Sequence, residues 1–167
     1  NNADFSDAVL QNCEFVGASL KKANFNGADL KNALFANADC TGADLRGISQ
    51  IPFISNTIFN EANLEGVDVQ ACGSIYGCKF RNANLKNSKG WKLVGACDFS
   101  GADLRGSNFR GMTPDKTARF NKAKYDEETT WPDGFDPKEA GAVMAASDSG
   151  AEKSSDTESK SKSKSDE

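Results

Sequence analysis

Large apolar residues recur at every fifth position from the start of the chain. The first nine positions of this series are Phe5, Leu10, Phe15, Leu20, Phe25, Leu30, Phe35, Cys40 and Leu45. A small residue, in most cases alanine, stands two positions before each of them. A period of five fits neither the α-helix nor the β-strand, so the pattern predicts a repeat architecture instead of an ordinary amphipathic element.

Each five-residue unit has the same internal order, which the stretch from Ala28 to Asn32 illustrates. A small and a large apolar residue lie on either side of an Asp or Asn, and the unit often ends in Gly or Asn. We interpret this order as a short extended segment with one polar side chain outside, followed by a corner. Gly and Asn suit such a corner because they tolerate the positive φ of tight turns.

These units resemble the pentapeptide-repeat family, whose consensus is A-[DN]-[LF]-x-x. The resemblance covers roughly residues 3–127. It implies an all-β fold, a right-handed quadrilateral β-helix with four units in each coil and coils stacked about 4.8 Å apart. We therefore predict a β-helix of about six coils over residues 1–127.

Four units per coil would arrange the large residues in columns. One column is predicted to contain Phe15, Phe35, Phe59, Phe80, Phe99 and Phe120. The next is predicted to contain Leu20, Cys40, Leu64, Leu85, Leu104 and Tyr125. These side chains would fill the interior and leave no room for a ligand, so we interpret the rings as core.

The period lapses four times, after Gly47 and around residues 71–77, 88–96 and 111–117. In the four-face arrangement all four lapses fall on the remaining side, which Leu10 and Leu30 begin. Insertions on one face of a solenoid often mark its binding surface. The apolar side chains there either turn inward to complete the fourth wall or form an exposed partner-binding patch.

The residues of this candidate patch are Ile51, Phe53, Ile54, Tyr76 and Trp91. Trp91 is the one we most expect to be exposed, because a narrow coil has little room for an indole.

Charge and composition exclude several functions. The net charge is −4, yet residues 1–113 contain eleven acidic and eleven basic residues, so the repeat region is neutral. A neutral body argues against nucleic-acid binding, which needs a basic stripe. The chain has no histidine, the commonest general base and transition-metal ligand. Outward carboxylates are explained by the repeat itself, and we predict no enzymatic activity, no cofactor and no metal.

Five cysteines allow a disulfide. Cys78 and Cys97 each precede a column phenylalanine by two positions and lie one coil apart, which a disulfide tolerates. The rival pairing is Cys72 with Cys78. Cys13 and Cys40 fit small buried apolar positions. A disulfide would indicate an oxidising compartment. The alternative is that all five cysteines are free thiols in a reducing compartment.

The two ends differ. Asp136, Pro137 and Glu139 predict the start of a capping helix that runs through Ala140 to about Ala146, within a cap segment of residues 128–146. Trp131 and Phe135 flank it and would seal the last coil. Residues 147–167, rich in Ser, Lys, Asp and Glu, are predicted to be disordered.

The first unit begins at Ala3 without a cap, so the coil from there to Leu20 is a predicted association surface.

The segment of residues 125–137 is similar to the ending of many cyanobacterial and chloroplast pentapeptide-repeat proteins, in particular those of the thylakoid lumen. This resemblance implies a non-enzymatic interaction protein, a lumenal accessory factor that docks on a photosynthetic membrane complex without inserting into the membrane. The alternative locations are the periplasm and the cytosol. The alternative function, known from other family members, is a DNA mimic that protects DNA gyrase or another topoisomerase.

Overall fold

The structure is a computed structural model that describes residues 1–48, 54–114 and 116–146. Its regular elements are a 3-10 helix at Gln70–Cys72 and five short strands: β1 Ser74–Tyr76, β2 Leu93–Gly95, β3 Thr113–Pro114, β4 Lys124–Tyr125 and β5 Val143–Met144. Strands β1, β2 and β3 form one parallel sheet, and β4 pairs with β5 in another. Elsewhere single parallel bridges join successive coils.

The bridges define four faces, which we number in chain order. Face 1 links Asp4, Asn24, Asp44, Asn63, Asn84, Asp103 and Lys124. Face 2 contains the pairs Val9 with Asp29, Asp68 with Lys89 and Asn108 with Thr130. Face 3 contains the pair Glu14 with Leu34 and then the sheet of β1, β2 and β3. Face 4 links Ser19, Asp39, Ile58, Lys79, Asp98 and Arg119. This parallel stacking is the β-helix that the resemblance to the pentapeptide-repeat family implies.

The large residue after each bridge residue lies inside. On face 4 these inner residues are Leu20, Cys40, Phe59, Phe80, Phe99 and Phe120, all buried. The rings of Phe80 and Phe99 are 5.1 Å apart and almost parallel, and Phe99 stacks on Phe120 at 5.0 Å. Repeated stacking of like side chains at the coil spacing therefore fills the interior.

The predicted columns are wrong beyond the first lapse. Phe59 lies above Cys40 on face 4, because Ile58 pairs with Asp39. The rings of Phe15 and Phe35 stack instead on face 3, at 4.8 Å. The same shift places Leu64 in the column of Phe5, Phe25 and Leu45, on face 1, since Asn63 pairs with Asp44. The prediction treated the stretch after Gly47 as an insertion, whereas Ile48 and Ile54, described residues of that stretch, are both buried in the coil.

Coil length explains this correction. Cys40 precedes Phe59 by 19 residues, and the next intervals, to Phe80, Phe99 and Phe120, are 21, 19 and 21 residues. A regular coil of four units needs 20, so each lapse shortens or lengthens its coil by one residue. Each of the other three lapses contains a strand of face 3, which Phe15 and Phe35 begin, and the lapse of residues 88–96 also includes, at Trp91, the side that Leu10 and Leu30 begin.

The predicted corners are confirmed. Residues at the ends of the units have positive φ, for example Asn12 at 59°, Gly27 at 70° and Asn32 at 60°. The Asp or Asn of the unit supports the corner by accepting a hydrogen bond from the backbone N–H two residues later, as Asp29 does from Lys31 at 3.1 Å. This is an Asx turn, the local reason for Asp and Asn at that position.

The predicted C-terminal helix is absent from the described residues. Asp136 does accept hydrogen bonds from the N–H groups of Lys138 and Glu139, as an N-cap would. After one turn, however, Gly141 adopts φ of 84° and Ala142 donates back to the carbonyl of Pro137. That arrangement is a Schellman ending. The chain then extends into β5, which pairs with β4. The tail of residues 147–167 lies outside the described residues.

We predict that Gly90→Ala destabilises the protein more than Gly66→Ala. Both glycines have φ near +80°, at 84° and 73°. A left-handed alanine costs about 1–2 kcal/mol at either position. At Gly90 an added Cβ would also lie 2.5 Å from the backbone nitrogen of Gln70, whereas nothing lies within 4 Å at Gly66. Forcing that contact adds about 1–3 kcal/mol.

Urea denaturation followed by circular dichroism measures both variants against the parent protein. Equal loss of stability in the two variants would contradict the close approach of the coils at Gly90.

Candidate protein-binding surface

The interior is filled by packed side chains. Besides the phenylalanines, it contains leucines, alanines and small residues that are almost completely buried. Within residues 1–48, 54–114 and 116–146, no group of three or more His, Cys, Asp or Glu side chains could hold a metal ion. The search of the same residues finds no helix of the length and hydropathy needed to cross a bilayer. Candidate sites therefore lie on the outer faces and at the two ends.

The predicted partner patch is only partly exposed. Ile51 and Phe53 lie outside the described residues. Ile54 is buried, so its exposure was predicted wrongly, and it completes the inner side of face 3. Tyr76 is 58% exposed, as a binding residue should be. The inward interpretation thus holds for Ile54, and the patch interpretation remains open for Tyr76.

The exposure predicted for Trp91 is also wrong, since its exposed fraction is 2%. The indole occupies the inner column of face 2, where it stacks on Phe109 at 5.3 Å. Its Nε1 donates a hydrogen bond to the buried Ser88 hydroxyl at 3.0 Å.

The outward carboxylates have structural roles. On face 4, burial alone would raise the pKa of Asp98, but hydrogen bonds from Ser100 and Arg81 outweigh it and lower the pKa. On face 1, the pKa of Asp103 is lowered in the same way, because hydrogen bonds from Arg105 outweigh the effect of burial. Both carboxylates are therefore ionised at neutral pH and engaged with neighbours, as the interpretation of a repeat-derived ladder requires.

Ion pairs neutralise much of this negative charge. The recorded partners are Lys21 with Asp39, Arg46 with Asp44, Arg81 with Asp98, Lys89 with Asp68 and Arg105 with Asp103. Nitrogen–oxygen distances run from 2.6 Å at Asp98 to 3.9 Å at Asp68. The outer faces consequently present no unbroken acidic column among the described residues.

A basic groove on face 4 was missed by the sequence analysis. Its defining residues are Lys79, Arg81, Asp98, Arg119 and Lys122. Two adjoining recesses, of about 270 and 360 Å³, share Arg81, Asp98 and Arg119 in their walls. The signal was present in the sequence, since Lys79, Asp98 and Arg119 each directly precede a phenylalanine of one column.

The N-terminal coil is the most open apolar region described. Val9 is 78% exposed and Val16 is 53% exposed. Phe5, Leu10 and Phe15 are only partly buried, although each packs against the core. At the other end, Trp131 and Phe135 pack on the last coil, with their rings 5.1 Å apart. Val143 and Met144 are also exposed there, at 46% and 54%, so both ends present apolar side chains and Val9 is the most exposed of them.

The five cysteines are free thiols in the structure. Cys78 and Cys97 are buried on adjacent coils of face 4, and a hydrogen bond from Cys97 lowers the pKa of Cys78. Burial raises the pKa of Cys40 and of Cys72 to about 12. The pairing of Cys78 with Cys97 and its rival with Cys72 both stay predictions.

Comparison with protein families agrees with the repeat. The family described as pentapeptide repeats matches in eight copies, over residues 1–27, 13–49 and 94–112. No curated protein matches the sequence.

Among solved structures, a pentapeptide repeat protein from the thylakoid lumen of Arabidopsis thaliana is 28% identical. The match covers 70% of this chain and 68% of that one, with a TM-score of 0.37. HetL from the cyanobacterium Nostoc, involved in heterocyst differentiation regulation, is 14% identical over 85% of each chain, with a TM-score of 0.44. QnrB1, a plasmid-mediated fluoroquinolone resistance protein, is 23% identical over 90% of this chain and 83% of its own, with a TM-score of 0.36.

We predict that mild oxidation joins Cys78 to Cys97. Their thiols are in contact, and adjacent coils bring the Cα atoms to about the coil spacing of 4.8 Å, within disulfide range. Diamide, which takes up the two electrons and two protons released, is the oxidant. Peptide mapping under non-reducing conditions should give one linked peptide pair, absent in Cys97→Ser and retained in Cys72→Ser.

A link between Cys72 and Cys78 in the parent protein would instead support the rival pairing. Recovery of all five thiols unmodified would contradict both.

Proposed function

Because the chain belongs to the pentapeptide-repeat family, we propose that it is a non-enzymatic interaction protein that docks on a photosynthetic membrane complex as an accessory factor of the thylakoid lumen. One observation carries this proposal: the interior is closed by stacked side chains, so only outer faces and ends can meet another molecule. A rod of this kind supplies a rigid surface and no reaction.

The lumenal setting rests on the C-terminal segment. Residues 125–137 are similar to the ending of lumenal members of the family, and in this structure they have a definite packing role. Tyr125 is buried and meets Trp131 edge to face at 5.9 Å, and Trp131 stacks on Phe109. The similarity therefore extends to residues that close the end of this solenoid.

A DNA mimic fits these faces less well. Such a protein must present unpaired negative charge along its length, because it replaces a phosphate backbone. Here Asp44 and Asp103 of face 1 and Asp39 and Asp98 of face 4 are each paired with Lys or Arg. Basic residues also dominate the C-terminal half of face 4. We therefore favour a docking protein over a topoisomerase protector.

The N-terminal coil supports a second contact of the same rod. Exposed Val9 and Val16, together with the half-buried rings of Phe5 and Phe15, make an apolar end that would be stabilised by burial. We propose that this end associates with protein and is not simply solvated.

The function is tested by affinity capture from detergent-solubilised thylakoid membranes, with bound proteins identified by mass spectrometry. We expect subunits of one photosynthetic complex in constant ratio to the bait. The control bait is a lumenal protein of similar size and charge. Capture of no such subunit, together with inhibition of gyrase supercoiling by the purified protein, would favour the DNA mimic.

The association surface is tested with Val9→Lys and Val16→Lys combined. Two new charges at an apolar contact should lower self-association or partner binding about tenfold or more, because each must be desolvated. Light scattering and the capture assay measure the two effects, with Lys22→Glu as a control on the neighbouring surface. A monomeric parent protein with unchanged partner binding in the double variant would contradict the proposal.

A further inference from the structure

Charge is distributed unevenly along face 4. In its last three described coils, the outward charged residues are Lys79, Arg81, Asp98, Arg119 and Lys122, four basic against one acidic, or net +3. In its first three coils they are Lys21, Lys22, Asp39 and Glu61, or net zero. The basic groove is therefore a local feature of a rod whose repeat region is otherwise nearly balanced.

The single acid of the groove holds one of its cations in place. Asp98 accepts a hydrogen bond from Nε of Arg81 at 2.6 Å and another from the backbone of Ser100 at 3.0 Å. This contact uses only one of the guanidinium nitrogens, and half of the Arg81 side chain remains exposed. Asp98 thus positions a cation without occupying its other donors.

The remaining cations are not consumed by ion pairs. Among the described residues, no ion pair is recorded for Lys79, Arg119 or Lys122, and all three are exposed. Lys79 and Arg119 flank Asp98 in the ladder, two coil intervals apart, which is about 10 Å. The backbone positions of these cations therefore extend over a length that a peptide carrying several carboxylates can follow.

The groove is concave because its middle coil has small residues. Ser100 and Gly101 lie between Arg81 and Asn82 on one coil and Asn121 and Lys122 on the next, and they form the floor of the 360 Å³ recess. A recess of this size admits side chains from a partner. A flat anionic membrane would meet only its rims.

An aromatic residue borders the groove. Tyr76 is exposed, and the following Gly77 lines the recess that also contains Lys79 and Arg119. Tyrosine and arginine are enriched among residues that dominate protein–protein binding energy. The combination of Tyr76 with the cations is typical of a protein contact.

We propose that the basic groove, with Tyr76 at its rim, binds an acidic segment of a partner protein through carboxylates that reach Arg81, Arg119 and Lys122. The proposal rests on the docking function and specifies which face docks and the partner chemistry it fits.

A fluorescein-labelled poly-glutamate peptide titrated with the full-length protein tests the groove by fluorescence anisotropy. Reversing two cations, Arg119→Glu with Lys122→Glu, should weaken binding at least about tenfold. The matched control, Lys92→Glu with Arg110→Glu, makes the same change of charge at exposed positions outside face 4 and should change binding less than about twofold. Added salt should weaken binding to the parent protein. Tyr76→Ala should weaken it without lowering the thermal midpoint.

Several results would overturn the proposal. These are unchanged binding after reversal in the groove, an equal loss in the control pair, and competition by inorganic phosphate as effective as that by the unlabelled peptide. Groove-dependent binding to phosphatidylglycerol vesicles without peptide binding would identify a membrane contact instead.

The same variants separate this proposal from the docking function. If the reversed variant still captures the photosynthetic complex, the function stands and the groove is not its docking face. If the parent protein binds poly-glutamate through the groove but captures no such complex, the groove stands and the assigned partner is wrong.

Discussion

The structure depends on one constraint: each coil must place its inward side chains directly on those of the coil below, at the spacing of hydrogen-bonded strands. That spacing is about 4.8 Å, which suits the offset stacking of aromatic rings, and Phe59, Phe80, Phe99 and Phe120 stack in this way. The chain can therefore gain or lose a residue at a corner, but it cannot shift a column. Alternating coils of 19 and 21 residues keep the columns aligned.

The same constraint organises the polar surface. Residues just before the inner column are forced into ladders, where like charges would repel at the coil spacing. Two local devices relieve this. An Asx bond engages the carboxylate with its own backbone, as Asp44 does with the N–H of Arg46, and the Arg46 guanidinium then binds the same carboxylate. Asn also alternates with Asp, so that Asn24 donates to Asp4 across the coils. The acidic residues of the repeat thus serve the fold.

Sequence reasoning reached the fold because a period of five has one common structural solution, and the corner chemistry of Gly and Asn follows from backbone sterics. It failed at the register after Gly47, because a unit that has lost the repeat pattern looks the same in the sequence as an inserted loop. Only the hydrogen-bonded pairing of Ile58 with Asp39 decides between the two. The exposure predicted for Trp91 rested on the size of the indole, whereas the indole is accommodated inside by stacking on Phe109. The C-terminal helix signal was genuine at Asp136, but Gly141 ended it within one turn.

Register also determines which surface residues meet. One coil is a residue shorter than a regular coil and the next is a residue longer, so the two changes cancel. The ladder of face 4 is therefore continuous from Ser19 to Arg119. Lys79, Asp98 and Arg119 are aligned for that reason, although 19 and 21 residues separate them in sequence. The irregular face absorbs the variation in length, and the regular face next to it can therefore hold charges at fixed spacing. In this solenoid the lapses in the repeat mark where the chain adjusts its length, and the aligned cations beside them mark where a partner can be recognised.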